Sequence, residues 1–443
     1  RTFMVALFRQ EARGKRQEAR GKRTMGDKLL CLSNGHGEDA IAVRILQHLQ
    51  QHPQGPELAA LPLVGEGQAY QNLPDIPIVG PVKAMPSGGF VYMDGRELWR
   101  DVRGGLLGLT WAQWRVVRKW GKQGGKILAV GDIVPLLLAW LSGSPYCFVG
   151  TAKSEYYLRD EIGPLQRRSW FERLESWSGS VYLPWERALM RSKRCQAVFP
   201  RDGLTSERLQ EMGIRAYNLG NPMMDGLEAK PLVVEGEQAR SLTLLLLPGS
   251  RVPEAHRNWE QLLQAVEGVQ RLQNNRPLTV VAAIAPGLDL EPFARALDAY
   301  GWQATSKPVP GLNDDLAQRF SFGQGRLVLS QNAFANCLRQ ADIAIALAGT
   351  ATEQFVGLGK PAIAFPGQGP QYTAAFAEAQ GRLLGQSLIL VPGPEQVADV
   401  VQRLLQDPDW HQLIAENGRR RLGLPGAGER IAKDVLQLLF GVK

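Results

Sequence analysis

The sequence predicts an α/β protein built from two doubly wound, Rossmann-like domains that face each other across a cleft. Short, wholly apolar strands alternate with helical stretches in two separate series, the pattern of parallel sheets covered on both faces. A charged segment marked by Pro231 and Gly236 separates the two series. Several strands end in Gly-containing loops that open helices, which is where sheets of this kind bind ligands.

The first series, 25–225, reads as strands at 29–32, 58–63, 126–130, 147–149, 196–199 and 216–219, with a helix over 38–50 after the first. Residues 226–241 read as the linker. The second series, 242–424, reads as strands at 242–247, 278–284, 326–329, 343–346, 362–365 and 388–391, with helices over 258–274 and 291–300. Residues 425–443 read as a terminal helix that packs back on the first domain.

Composition bounds the function. At 443 residues, 44% apolar and 21% charged, the chain is long enough for two cores and too apolar to be disordered. Its longest apolar runs, 133–141 and 242–247, are far short of the roughly 18 residues of a spanning helix. The formal charge is +8, but residues 1–24 alone carry +6, in a tandem heptad at 10–16 and 17–23. This segment reads as a disordered, non-native extension ahead of Met25, with a basic arm for phosphates or anionic lipid as the competing reading. The near-neutral body argues against a nucleic-acid partner. Cys31, Cys147, Cys195 and Cys337 are widely spaced and read as free thiols of a reducing, cytoplasmic compartment. No His or Cys spacing suits a metal, and Asp407-Pro408-Asp409 reads as a helix cap.

Eight of the eleven Trp lie between Trp99 and Trp185, interleaved with Arg and Lys. They read as indoles packed into the first domain or as an interfacial surface over 96–120, on which a peripheral membrane contact is expected.

Five loops carry candidate chemistry. Gly35, Gly37, Glu38 and Asp39 surround His36 at a strand-to-helix turn, where the imidazole titrates near neutrality and suits proton removal from a hydroxyl. The loop also matches a dinucleotide fingerprint. Asp132 ends a buried strand and reads either as a catalytic base or as a helix cap. Gly249, Ser250 and Arg251 form a turn that presents N–H groups and a guanidinium to an anion. Gly349, Thr350, Ala351 and Thr352 open a helix where a diphosphate could sit, and Glu353 can accept both hydroxyls of a ribose. Gln368 and Gln371 offer amides to sugar hydroxyls.

Together these loops resemble the lipid-A-disaccharide synthases, which are GT-B glycosyltransferases, and in particular a related cyanobacterial group. The resemblance rests on Gly35-His36-Gly37-Glu38-Asp39, Val130-Gly131-Asp132, Leu219-Gly220-Asn221-Pro222, Leu247-Pro248-Gly249-Ser250-Arg251 with Glu254, and Gly349-Thr350-Ala351-Thr352-Glu353. It implies a UDP-sugar donor on the C-terminal domain, no metal, no further cofactor, inversion at the anomeric carbon, and a lipid or lipid-linked acceptor. The first loop departs from that family towards the His-bearing loops of MurG-type transferases. Either His36 or Asp132 is then the base. A UDP-sugar 2-epimerase-like enzyme, a nucleotide-sugar-binding protein without turnover and an NAD-dependent dehydrogenase are the alternatives.

Overall fold

Leu29, Leu30, Cys31 and Leu32 of the first strand, β1 (Lys28–Ser33), have no exposed surface, because helices cover both of its faces. The structure, a computed structural model, describes residues 27–83, 106–165, 177–227, 241–272 and 277–442. The expected extension at 1–24, most of the linker and residues 96–105 of the Trp-rich stretch lie outside the described residues. The chain divides into two compact units, one ending at Asp225 but taking in Gly426 onward, the other spanning Gly226–Pro425.

In the first unit β1 is joined by β2 (Glu57–Pro62), β3 (Lys126–Gly131), β4 (Tyr146–Gly150) and β5 (Cys195–Phe199), all parallel, in the order β2-β1-β3-β4-β5. Among the described residues its helices are α1 (His36–Gln51), α2 (Leu106–Lys122), α3 (Ile133–Ser142), α4 (Pro184–Met190) and α5 (Gly203–Glu211). Alternation along β1 sorts the two cores. Leu29 and Cys31 pack with Ile45 and Leu49 of α1 and with Ile431 and Val435 of the C-terminal helix. Leu30 and Leu32 pack on the other face with Val117 of α2, Leu136 of α3 and Met190 of α4.

The C-terminal helix thus completes the first unit, and Asp225 ties it down. One carboxylate oxygen accepts from the N–H groups of Gly426 (2.7 Å) and Ala427 (2.9 Å), and the other accepts from Gly428 (2.7 Å). The strand expected at 216–219 is not formed. A single parallel bridge joins Ala216 to Val198, after which Gly220 and Asn221 turn the chain into a short 3₁₀ helix.

The second unit contains β6 (Leu242–Leu247), β7 (Leu278–Ala283), β8 (Gln303–Ala304), β9 (Gln318–Phe322), β10 (Gly325–Ser330), β11 (Ile343–Ala346), β12 (Ala362–Ala364) and β13 (Leu388–Leu390). Their order is β13-β12-β11-β6-β7-β10-β9-β8, and β9 alone runs against the others, pairing antiparallel with both β10 and β8. The helices are α6 (Glu254–Leu272), α7 (Glu291–Asp298), α8 (Phe334–Gln340), α9 (Thr350–Gly357), α10 (Ala374–Leu384), α11 (Val397–Gln406), α12 (Pro408–Leu422) and, back on the first unit, α13 (Ala427–Phe440). Asp407 caps α12 by accepting from the Trp410 N–H at 2.9 Å.

Both sheets reverse their strand order at one place, between β1 and β3 in the first unit and between β6 and β11 in the second. Neighbouring crossovers leave such a point in opposite directions, so the loops at the carboxyl ends of the strands open a crevice there. The predicted loops after residues 33, 131, 247 and 346 are the four that flank these two points.

Candidate functional site

In the first unit, Gly35 is the N-cap of α1 and provides no side-chain cap of its own. The helix opens at His36, whose side chain lies outside the described atoms. Asp132 is the N-cap of α3, accepting from the Val134 N–H at 2.9 Å. Its other oxygen accepts from the Asn34 amide at 3.0 Å, so the carboxylate ties the first loop to the end of β3. Asp132 thus caps α3 and holds Asn34 with the same carboxylate.

Glu38 is brought beside this carboxylate: a Cβ on Gly131 would stand 3.3 Å from the Glu38 Cγ and 3.4 Å from the Asn34 Cβ. Thr151 donates to Glu38 at 3.3 Å. Burial pushes the Glu38 carboxyl up; its own backbone N–H works the other way, and the Asp132 charge adds to the rise. Burial likewise raises Asp132, against the hydrogen bonds from Val134 and Asn34. Gly37 is exposed, with open space where a side chain would be.

Asp39 has a different place. It is only 2% exposed and accepts from the Ser33 hydroxyl at 2.5 Å, which in turn pairs with the Tyr70 hydroxyl at 2.6 Å. It supports the loop from beneath. Burial pushes its carboxyl up to about 6, partly offset by the Ser33 hydrogen bond. Because the folded value lies above the ordinary value of about 3.9, the native state binds the extra proton and stability falls as pH rises from about 4 to about 6. Asp39→Asn keeps an acceptor for Ser33 and removes the titration. Melting temperatures across that range should fall less in the variant than in the wild type; parallel curves would refute the assignment.

Beyond β4, Glu155 is wholly buried and organises the next segment. It accepts from Arg159 (2.9 Å), from the Ser180 hydroxyl (2.5 Å) and from the Val181 N–H (3.1 Å). Lys153 pairs with Glu186 of α4 at 2.6 Å.

The second unit gathers the remaining predicted residues. β6 and β11 end level, with Leu247 opposite Ala346 and the Leu347 N–H donating to the Leu247 carbonyl at 2.8 Å. Gly249 has φ +100°, a left-handed conformation that L side chains rarely adopt, and a Cβ there would press to 3.3 Å from the Leu347 carbonyl. The Gly249 turn and the loop after β11 therefore touch. Ser250 and Arg251 are exposed at the turn. In α9 the N–H groups of Thr350 and Ala351 precede the first bond to the Gly349 carbonyl, which comes from Thr352 at 3.1 Å. Glu353 is half-exposed in the same turn.

The hydroxyl expected from Thr352 is not presented. Thr352 is fully buried and donates to the Ala348 carbonyl one helical turn back at 2.6 Å, leaving Thr350 as the exposed hydroxyl of this loop.

The third loop, 366–373 after β12, lies against the same turn. Turned with its oxygen towards the guanidinium, the Gln371 amide accepts from Arg251 Nε at 3.2 Å and Nη1 at 3.0 Å. Gln368 is exposed. Two residues of α6 fasten these loops. Buried Glu254 accepts from the N–H groups of Gln371 (3.0 Å) and Tyr372 (2.7 Å), and Asn258 donates to the Pro248 carbonyl at 3.0 Å. The sequence-based reading assigned neither a site role. The available signal was a polar Asn258 on the buried stripe of Ala255, Trp259 and Leu262.

Among the described residues no three His, Cys, Asp or Glu side chains come together as a metal ion would need, and no helix is long and apolar enough to cross a membrane. The exposed face of α2 carries Trp111, Arg115, Arg118, Lys119 and Lys122, and the helix contains no acid. Trp114 and Trp120, by contrast, pack against the core.

Two Rossmann-like units with these loops define a GT-B fold. The solved structures agree over nearly the whole chain: UDP-GlcNAc 2-epimerase from Neisseria meningitidis bound to UDP-GlcNAc (TM-score 0.52, 14% identity, 93% of this chain and 100% of that one) and MurG from Acinetobacter baumannii (0.51, 13%, 93% and 99%). The S. aureus MnaA–UDP co-structure gives 0.54 at 12% identity, covering 94% and 98%. Among curated proteins the chain is similar to lipid-A-disaccharide synthases, 28% identical over 256 residues to that of Syntrophus aciditrophicus and 26% over 254 to that of Myxococcus xanthus. Each alignment takes in 52% of this chain and 59% of the relative, so the chain spans somewhat over half the length of the curated relatives it matches. No family model matches.

Proposed function

We propose that the protein transfers a hexose or N-acetylhexosamine from a UDP-sugar to a hydroxyl of a lipid or lipid-linked acceptor, with inversion and without a metal. The observation that carries this is the meeting of the Gly249 turn, the α9 start and the 366–373 loop at the strand-order reversal of the second unit. Arg251 and the first N–H groups of α9 would neutralise the leaving diphosphate, as preorganised donors do for developing charge. Glu353 would hold the ribose, and Gln368 and Gln371 the sugar.

In the first unit we assign His36 as the base. Both Asp132 oxygens are already engaged, by the α3 N-terminus and by Asn34, so that carboxylate is suited to fixing the loop that leads into His36. The acceptor oxygen forms the new bond to the anomeric carbon, the bond to the diphosphate oxygen breaks with its electron pair, and the acceptor proton passes to the imidazole. The cationic, acid-free face of α2 with exposed Trp111 would hold the protein against an anionic membrane surface on the cytoplasmic side.

The paired carboxyls of Glu38 and Asp132, both raised by burial, favour a second reading, proton exchange at C2 of a UDP-sugar by an epimerase. One experiment separates the two. Labelled UDP-sugars are incubated with the protein, polar lipid extract and excess EDTA in D2O. Transfer predicts a labelled lipid with inverted anomeric configuration and no deuterium in the donor. A C2-epimer carrying deuterium would replace this reading with the second, and a donor recovered unchanged, with no label in lipid and no deuterium at C2, would refute both.

A further inference from the structure

We infer that the Gln371 amide is a placeholder for the donor diphosphate, and that Glu254 is the positioning residue that keeps it there. The inference rests on the nucleotide-sugar reading of the second unit and adds to it how Arg251 is held for the diphosphate. The Gln371 oxygen accepts from two N–H groups of the Arg251 guanidinium, donors that carboxylates and phosphates also use. The opposite orientation of the amide would set its NH2 group against guanidinium donors.

This placement is built. Glu254, on the first turn of α6, is 5% exposed and spends its oxygens on the backbone N–H groups of Gln371 and Tyr372. The loop follows the carboxylate so closely that a Cβ on Gly369 would fall 2.2 Å from the Glu254 Cδ. Tyr372 carries the fastening across to the other anion-binding element. Its hydroxyl donates to Gln380 at 2.7 Å, and the Gln380 amide donates to the carbonyls of Ala348 (3.2 Å) and Gly349 (3.0 Å). One loop thus reaches both places where a diphosphate would be held.

The chemistry of the placeholder follows from its charge. An amide fills the guanidinium's hydrogen bonds but carries no net charge, so it lacks the charge–charge attraction that a diphosphate brings to the same donors. A diphosphate therefore displaces it, and the released amide turns to the sugar. A carboxylate at the same position would pair with Arg251 and keep the anion out.

The test is the dissociation constant of UDP, and of inorganic pyrophosphate as a sugar-free and base-free probe, for the full chain and for substitutions at the exposed Gln371. Gln371→Glu should weaken both ligands by about tenfold or more, while Gln371→Ala should bind them at least as tightly as the wild type. In a Glu254→Ala background, or Glu254→Gln if the first does not fold, the Gln371→Glu penalty should shrink to less than about threefold, because the loop no longer holds that side chain on Arg251. Wild-type binding of UDP with an unaltered affinity in Gln371→Glu would overturn the placeholder and leave the nucleotide-sugar reading standing. A full penalty in the Glu254 background would remove Glu254 from its role. No binding of UDP or pyrophosphate by the wild type would refute the nucleotide-sugar reading and the placeholder with it.

Discussion

His36→Ala is expected to lower turnover by about a hundred- to ten-thousandfold, the usual contribution of a positioned general base, and to leave the affinity for UDP unchanged. The position supports this size of effect. His36 opens α1 at the carboxyl end of β1, beside the strand-order reversal, and the preceding Asn34 is anchored to Asp132 at 3.0 Å. Asp132→Asn keeps one oxygen to cap α3 but puts an NH2 against the Asn34 amide, so it should cost less than His36→Ala, through a loosened loop. Steady-state kinetics with a fixed donor decides between them. A larger loss in Asp132→Asn than in His36→Ala would make Asp132 the base and His36 incidental.

Glu155→Ala is expected to destabilise the first unit by about 3–5 kcal/mol, the cost of leaving one partner of a buried ion pair uncompensated. Glu155 has no exposed surface and meets Arg159, Ser180 and the Val181 N–H, so its removal takes an acceptor from three donors at once, of which Arg159 keeps the Gly179 carbonyl. Replacing both partners by apolar residues, Glu155→Leu with Arg159→Met, should be less damaging than Glu155→Ala alone. Denaturant melts of the three proteins check the order. If the double substitution is the worst of them, the ion pair is a net stabiliser and the argument from an orphaned charge fails.

Much of the fold was legible in the sequence because its strands are short and apolar on both faces, as at Leu29–Leu32 and Leu244–Leu247, a pattern that amphipathic helices do not share. The edges were not. Residues 216–219 carry an apolar strand pattern but gain only one bridge before Gly220 turns the chain. β9 was passed over although Phe322-Gly323-Gln324-Gly325 is a hairpin turn between it and β10.

The site was legible where backbone geometry dictates residue type, as at Gly249. It was not legible where a side chain could face either way. Asp39 and Thr352 look like loop ligands in the sequence, yet the first hydrogen-bonds beneath the loop to Ser33 and the second back along its own helix to Ala348. Glu254 and Gln380 act on loops more than 25 residues away, a relation that no local pattern contains.

The most direct single measurement is ligand-induced stabilisation by UDP, with NAD as the comparison, for the wild type, Arg251→Ala and Glu353→Ala. At a hundred times its dissociation constant a ligand adds about 2.7 kcal/mol to stability, which a melting curve resolves. A donor site at the β6/β11 reversal predicts stabilisation of the wild type by UDP, its loss in both variants, and no response to NAD. Stabilisation by NAD alone, or by UDP to the same extent in all three proteins, would contradict it.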